Sequence, residues 1–191
     1  QMGCATAYAA SNEASKAVSA ATMALSLFTK VNFKEGECVA FRIASKAHLL
    51  AGDVKEAVRA AEKCRALAQS VLQDRRELEP AALVAVAEAQ LAKANELKSE
   101  EHYRKADQAA KRAMQLYGEL RDAQGQQVAL YASTRAERGY KEVGALQAGD
   151  GEGQLDTGAP AARYSAIKKI GVNALEGPRS MMYQVNGGRL I

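Results

Sequence analysis

An all-α fold is predicted for this chain: antiparallel helix pairs stacked as an α-solenoid, followed by an extended C-terminal arm. Apolar residues recur every three or four positions through most of its length, and no alternating strand pattern competes with them. Alanine fills 40 of the 191 positions while aromatic residues make up 5%, with no Trp, three Phe and three Pro, so the helices must be finely packed. Segments of this pattern also repeat in register, the mark of a stacked array. A hydrophobic content of 48% and a charged content of 25% suit one globular domain with a buried core and exclude collagen, coiled tails and disordered chains.

Taken in order, helices are expected over residues 12–31, 37–51, 54–75, 80–97, 100–121 and 125–143, joined by short links that force antiparallel neighbours. The first carries the stripe Ala14, Val18, Ala21, Leu25 and Phe28. The second ends at Gly52, suited to the left-handed conformation that closes a helix, and Asp53 with Glu56 three residues on forms a capping box for the third. The third repeats the stripe as Val58, Ala61, Cys64, Ala68 and Val71. Pro80 suits the first turn of the fourth, whose apolar positions are Leu83, Ala87, Leu91 and Ala94. Ser99 is placed to cap the fifth, with Glu100 and Glu101 at its positive end and Tyr103, Ala106, Ala110, Ala113, Tyr117 and Leu120 as its stripe. Val128, Ala132, Ala136, Tyr140 and Val143 mark the sixth.

Alternate helices share more than a period. KAVSAATMALSL from Lys16, EAVRAAEKCRAL from Glu56 and KADQAAKRAMQL from Lys105 align without gaps at offsets of 40 and 49. The intervening helices align as VAFRIASKA from Val39, VAVAEAQLA from Val84 and VALYASTRA from Val128. Each unit is thus a helix pair, and units of this length stack as α-solenoids.

The joint Gly52-Asp53-Val54-Lys55-Glu56-Ala57, with small residues at Ala57 and Cys64 seven apart, resembles the tetratricopeptide (TPR) repeat family, and the resemblance extends over roughly residues 12 to 143. The sequence departs from that family at Ala61, where an aromatic is usual, at Glu101-His102, where a second Gly-Asp joint would fall, and at Gln69, which no repeat-ending Pro follows. The resemblance implies a divergent, long-helix TPR-like array that binds protein along a concave groove. It carries over no named contact residue, because the family's carboxylate-clamp pattern is not visible in this chain.

Three regions follow: an N-terminal arm over 1–11, the helical-repeat domain over 12–143, and a Gly-rich linker with a basic arm over 144–191. Residues 157–191 hold five basic side chains against Glu176 alone, which accounts for the whole net charge of +4. Nine of the 15 glycines fall between Gly144 and Gly188. Pro160 to Ile170 reads as a short helix stopped by Gly171, and apolar anchors are scattered beyond it. Such an arm cannot fold alone and docks on its own body or on a neighbour. The candidate partner-binding residues are Arg163, Lys168, Lys169, Arg179, Met181, Met182, Tyr183 and Arg189.

Raw material for chemistry is sparse. Cys4, Cys38 and Cys64 share no metal-ligand spacing, which argues for a reducing, intracellular compartment, with Cys38 and Cys64 as small buried hydrophobes. His48 lies on the stripe of Phe41 and Ala44 and is expected to pack, while His102 is expected to be solvated. The run Gly149-Asp150-Gly151-Glu152-Gly153 lacks the context of a phosphate or calcium loop and reads as a linker. Met2-Gly3-Cys4 is no acylation start, since Gln1 precedes it and Ala7 stands where Ser or Thr is needed. An opening at Gln1 is the pattern of a processed chain and leaves import into an organelle open. The most apolar stretch, residues 81–92, is interrupted by Glu88, so a soluble protein is expected.

No catalytic, cofactor or metal site is expected, nor a nucleic-acid or small-molecule ligand. The expected function is a non-enzymatic scaffold or assembly subunit that binds other protein subunits of a larger complex through its body and its arm. An alternative is a peripheral accessory subunit of a membrane supercomplex, such as a photosystem-antenna assembly facing the plastid stroma, whose basic arm touches an anionic membrane surface. An enzyme would need a convergent polar constellation that the sequence does not display.

Overall fold

A computed structural model describes residues 3–4, 13–70 and 74–149 of the chain, all within one compact unit, Gln1–Gly151. From residue 13 onward these residues form the helices α1 (Ala14–Lys30), α2 (Lys34–Ala51), α3 (Val54–Ser70), α4 (Leu78–Leu97), α5 (Glu100–Glu119) and α6 (Ala123–Gly149). No strand occurs among the described residues.

The joints explain why the helices stop where they do. After α1, α2 and α5, residues Asn32, Gly52 and Arg121 turn left-handed, at φ 51°, 79° and 57°. At each, the next residue's amide reaches back to a carbonyl five positions earlier: Phe33 to Phe28, Asp53 to His48 and Asp122 to Tyr117, all at 2.9 Å. This Schellman arrangement satisfies the orphan carbonyls of a helix end and reverses the chain in two or three residues. Lys98, at φ 50°, closes α4 the same way, with Ser99 reaching Ala94 at 3.3 Å. The capping box forms by half. Asp53 Oδ1 accepts from the Glu56 amide at 3.2 Å, but the Asp53 amide is already committed to His48, and Glu56 pairs instead with Arg59. Asp122 repeats this device for α6, accepting from the Gly125 amide at 2.9 Å.

Most boundaries fall within two residues of the expectation, and three depart from it more clearly. The start of α2 moves from residue 37 to Lys34, where Gly36 leaves room for the edge-to-face pair Phe28 and Phe33, whose ring centroids are 5.5 Å apart. A Cβ at residue 36 would stand 2.5 Å from one ring and 2.6 Å from the other. Helix α3 is described to Ser70, Val71 of its expected stripe lies outside the described residues, and the chain has left the helix by residues 74–77, a turn that Arg75 Nε ties to Glu35 Oε1 of α2 at 2.8 Å. Helix α6 runs past Val143 to Gly149 through Ala145, Leu146 and Ala148, all good helix formers. As expected, α5 begins at Glu100, so Lys98-Ser99 forms the link from α4 and Glu101-His102, which aligns with Gly52-Asp53, lies in the first turn of α5.

Sequence-adjacent helices run antiparallel. Cys38 meets Cys64 and Ser45 meets Ala57 across α2 and α3. Asp107 meets Ser133 and Tyr103 meets Gly139 across α5 and α6. Beyond these neighbours, α2 touches α4 and α4 touches α6, while α1, α3 and α5 touch only the helices that precede and follow them. The repeat found in the sequence therefore separates two structural roles.

Burial follows the same register. Ala17, Ala57 and Ala106 are each fully enclosed, as are the equivalent sets Ala21, Ala61, Ala110 and Ala24, Cys64, Ala113. In α1 this shifts the buried stripe to Ala17, Ala20, Ala21 and Ala24, leaving Val18 and Leu25 half-buried: close approach to α2 selects the smallest side chains. The largest side chains sealed almost completely are only Pro80, Cys38, Cys64 and Ser45. Each buried methyl contributes about 0.8 kcal/mol, so stability rests on many small contacts in register and not on a few large anchors.

Candidate protein-binding face of the even-numbered helices

The arm residues expected to touch a partner, Arg163, Lys168, Lys169, Arg179, Met181, Met182, Tyr183 and Arg189, lie outside the described residues. What the body offers is a face that the sequence reading did not pick out, assembled from α2, α4 and α6. Their aligned valines, Val39, Val84 and Val128, start it. One helical turn and then two beyond each valine lie Arg42 and Lys46 on α2, Glu88 on α4, and Tyr131 and Arg135 on α6.

Glu88 is half-buried at the centre. Burial pushes its carboxyl above the usual carboxylate range, and Lys46, Arg135 and Arg42, in that order, pull against the shift. Charges from α2 and α6 thus act on one carboxylate of α4. None of the three cations makes an ion pair within 4.0 Å among the described residues, whereas on α3 Arg59 is tied to Glu56 and Arg65 to Glu62. Arg135 lies over the Tyr131 ring, 5.6 Å from its centroid, which holds its charge toward the open side of α6.

Two clefts open elsewhere. One of about 860 Å³ is lined by Val54, Val58 and Leu97, with Lys55, Lys63 and Lys93 at its rim. The other, of about 530 Å³, is polar and lies against Arg75, Arg76, Arg112, Glu79 and Glu119.

His48 is half-buried with Nδ1 3.7 Å from Asp53 Oδ2, in keeping with the expected packing. His102 is not simply solvated: its Nδ1 lies 2.9 Å from Gln90 Oε1, and burial, then Lys93 and Lys105, lower its pKa. That pairing escaped the sequence reading because Gln90 belongs to the preceding helix. Cys38 and Cys64 are buried as expected, and they face each other. Among the described residues no group of three or more His, Cys, Asp or Glu side chains is placed to hold a metal ion, and no helix is long and apolar enough to cross a membrane. Compared with known proteins, the sequence matches no protein-family profile and no curated protein significantly.

Proposed function

We propose that this protein is a non-enzymatic scaffold subunit: a divergent TPR-like α-solenoid whose face along α2, α4 and α6 holds an acidic, extended segment of a partner protein. The observation that carries this reading is the action of the Arg42, Lys46 and Arg135 charges on the half-buried Glu88. Three cations around one carboxylate leave an excess of positive charge beside Val39, Val84, Val128 and Tyr131. A partner carboxylate entering there is attracted by cations that no anion among the described residues holds within 4.0 Å, and its apolar neighbours pack on Val39, Val84 and Val128.

The solenoid reading is supported by the division of labour among the helices. Even-numbered helices touch one another in a row and odd-numbered helices do not, so α1 and α6 stay apart and the row remains open to a ligand. The basic arm, with its five cations against one acid, adds a second contact of the same sign to an acidic surface.

The test compares three proteins in a pull-down from native extract: the full chain, a chain ending at Asp156, and the full chain carrying Arg42→Glu, Lys46→Glu and Arg135→Glu. Direct binding of a Glu-rich peptide is followed in parallel by fluorescence anisotropy. The charge-reversed protein is expected to lose both the captured subunits and the peptide, and wild-type affinity is expected to fall steeply with salt. Peptide binding that survives charge reversal would remove the even-helix face from the proposal. Loss of capture on truncation alone would assign recruitment to the arm.

A further inference from the structure

Outside the binding face, the body buries a pair of free thiols. Cys38 of α2 and Cys64 of α3 have their Sγ atoms 3.4 Å apart, and each thiol also reaches the other residue's carbonyl oxygen, at 3.6 Å from Cys38 and 3.2 Å from Cys64. The two residues therefore stand directly opposite each other, 26 positions apart in the chain. Ala68 and Ala82 close the surrounding space. The repeat adds an independent observation: the positions equivalent to Cys64 in α1 and α5 are Ala24 and Ala113. Alanine satisfies the packing there, and cysteine replaces it where a second cysteine faces it.

We propose that Cys38 and Cys64 are a redox-active pair that a hydroperoxide converts to a disulfide, covalently locking α2 to α3. This does not depend on the partner-binding reading. The roles of the two sulfurs follow from their surroundings. The thiol hydrogen bond from Cys64 lowers the Cys38 pKa against the effect of burial, with a further contribution from Arg42, while the same bond and burial raise that of Cys64. Cys38 sulfur attacks the peroxide: a sulfur–oxygen bond forms, the oxygen–oxygen bond breaks, and the leaving oxygen departs as an alcohol, or as water from hydrogen peroxide. Cys64 sulfur then attacks the resulting sulfenic acid, forming the sulfur–sulfur bond and releasing the hydroxyl as water with the Cys64 proton. Two thiols are oxidised by two electrons and the hydroperoxide is reduced by two. A dithiol reductant reverses the lock. Because both sulfurs are sealed from solvent, the reaction proceeds from openings of the α2–α3 seam.

The test uses the full chain with hydrogen peroxide as the probe. Thiols counted in denaturant are expected to fall from three to one, and peptide mapping is expected to find Cys38 joined to Cys64. Closing this loop is expected to raise Tm by about 10 °C, reversibly with dithiothreitol. The control is Cys64→Ala, which installs the residue that the other two repeats carry. It is expected to keep its helicity by circular dichroism while showing neither the cross-link nor the rise. Three free thiols after prolonged exposure would overturn the proposal, as would a cross-link through Cys4 or an equal rise in Cys64→Ala.

Discussion

At the scale of single residues, most polar groups inside the body serve the seams between helices. The Ser45 hydroxyl donates to the Ala57 carbonyl at 2.9 Å, and the Tyr103 hydroxyl to Asn95 Oδ1 at 2.6 Å. Tyr103 also accounts for a glycine within α6, since a Cβ at residue 139 would stand 2.2 Å from its ring. Glu88 is different, because its burial is not matched by an ion pair within 4.0 Å among the described residues. Its folded-state pKa lies above the unfolded value, so the stabilisation tied to its neutral form is complete below about pH 4.5 and is lost as pH rises through the folded pKa. Glu88→Gln keeps the shape and removes the charge. It is expected to raise the urea midpoint at pH 7, by up to about 1 kcal/mol in unfolding free energy, and the difference is expected to shrink as pH falls to 4 and the wild-type carboxyl takes up its proton. Urea titrations of both proteins at the two pH values check this, and an equal effect at both would remove the titration argument.

At the scale of elements, the Schellman closures set the architecture. Each uses one left-handed residue, and only Gly52 occupies that conformation without steric cost. Lys98 and Arg121 carry side chains there, at a cost of about 1–2 kcal/mol each. Lys98→Gly is therefore expected to stabilise the protein by about 1 kcal/mol, read as a higher urea midpoint with an unchanged denaturant slope. A lower midpoint would show that the lysine stem contributes more than the strain it incurs. The joints also fix helix direction: two- and three-residue reversals leave α2, α3, α5 and α6 no choice but to return along their predecessors.

At the scale of the whole molecule, contacts are graded along the array. α4 is touched by α2, α3, α5 and α6, whereas α1 is touched by α2 alone. Elements held by fewer neighbours open at lower cost, so α4 should open last. Hydrogen exchange is expected to find the slowest amides in α4 and the fastest helical amides in α1; amides of α1 as slow as those of α4 would indicate one all-or-none unit.

The same gradient shows what was legible in the sequence. Helix identity, the stripe Leu83, Ala87, Leu91, Ala94, the Gly52 closure and the repeat were readable because each depends on residues close together along one helix. The arm residues singled out from the sequence fall outside the described residues, and the candidate binding face went unseen. Arg42, Glu88 and Arg135 are separated by more than 40 positions at each step, and nothing local distinguishes them from ordinary helix-surface charges. Periodicity placed the inward side of α4, but in α6 Val128 and Tyr140 of the expected stripe are exposed while Ala129 and Ser133 are buried, and in α1 the buried side moves to Ala17 and Ala20, because close helix approach selects small side chains. Only tertiary structure decided which helices lie side by side, and with that which charges meet, because that choice depends on joint geometry and on how closely alanine faces let neighbouring helices approach.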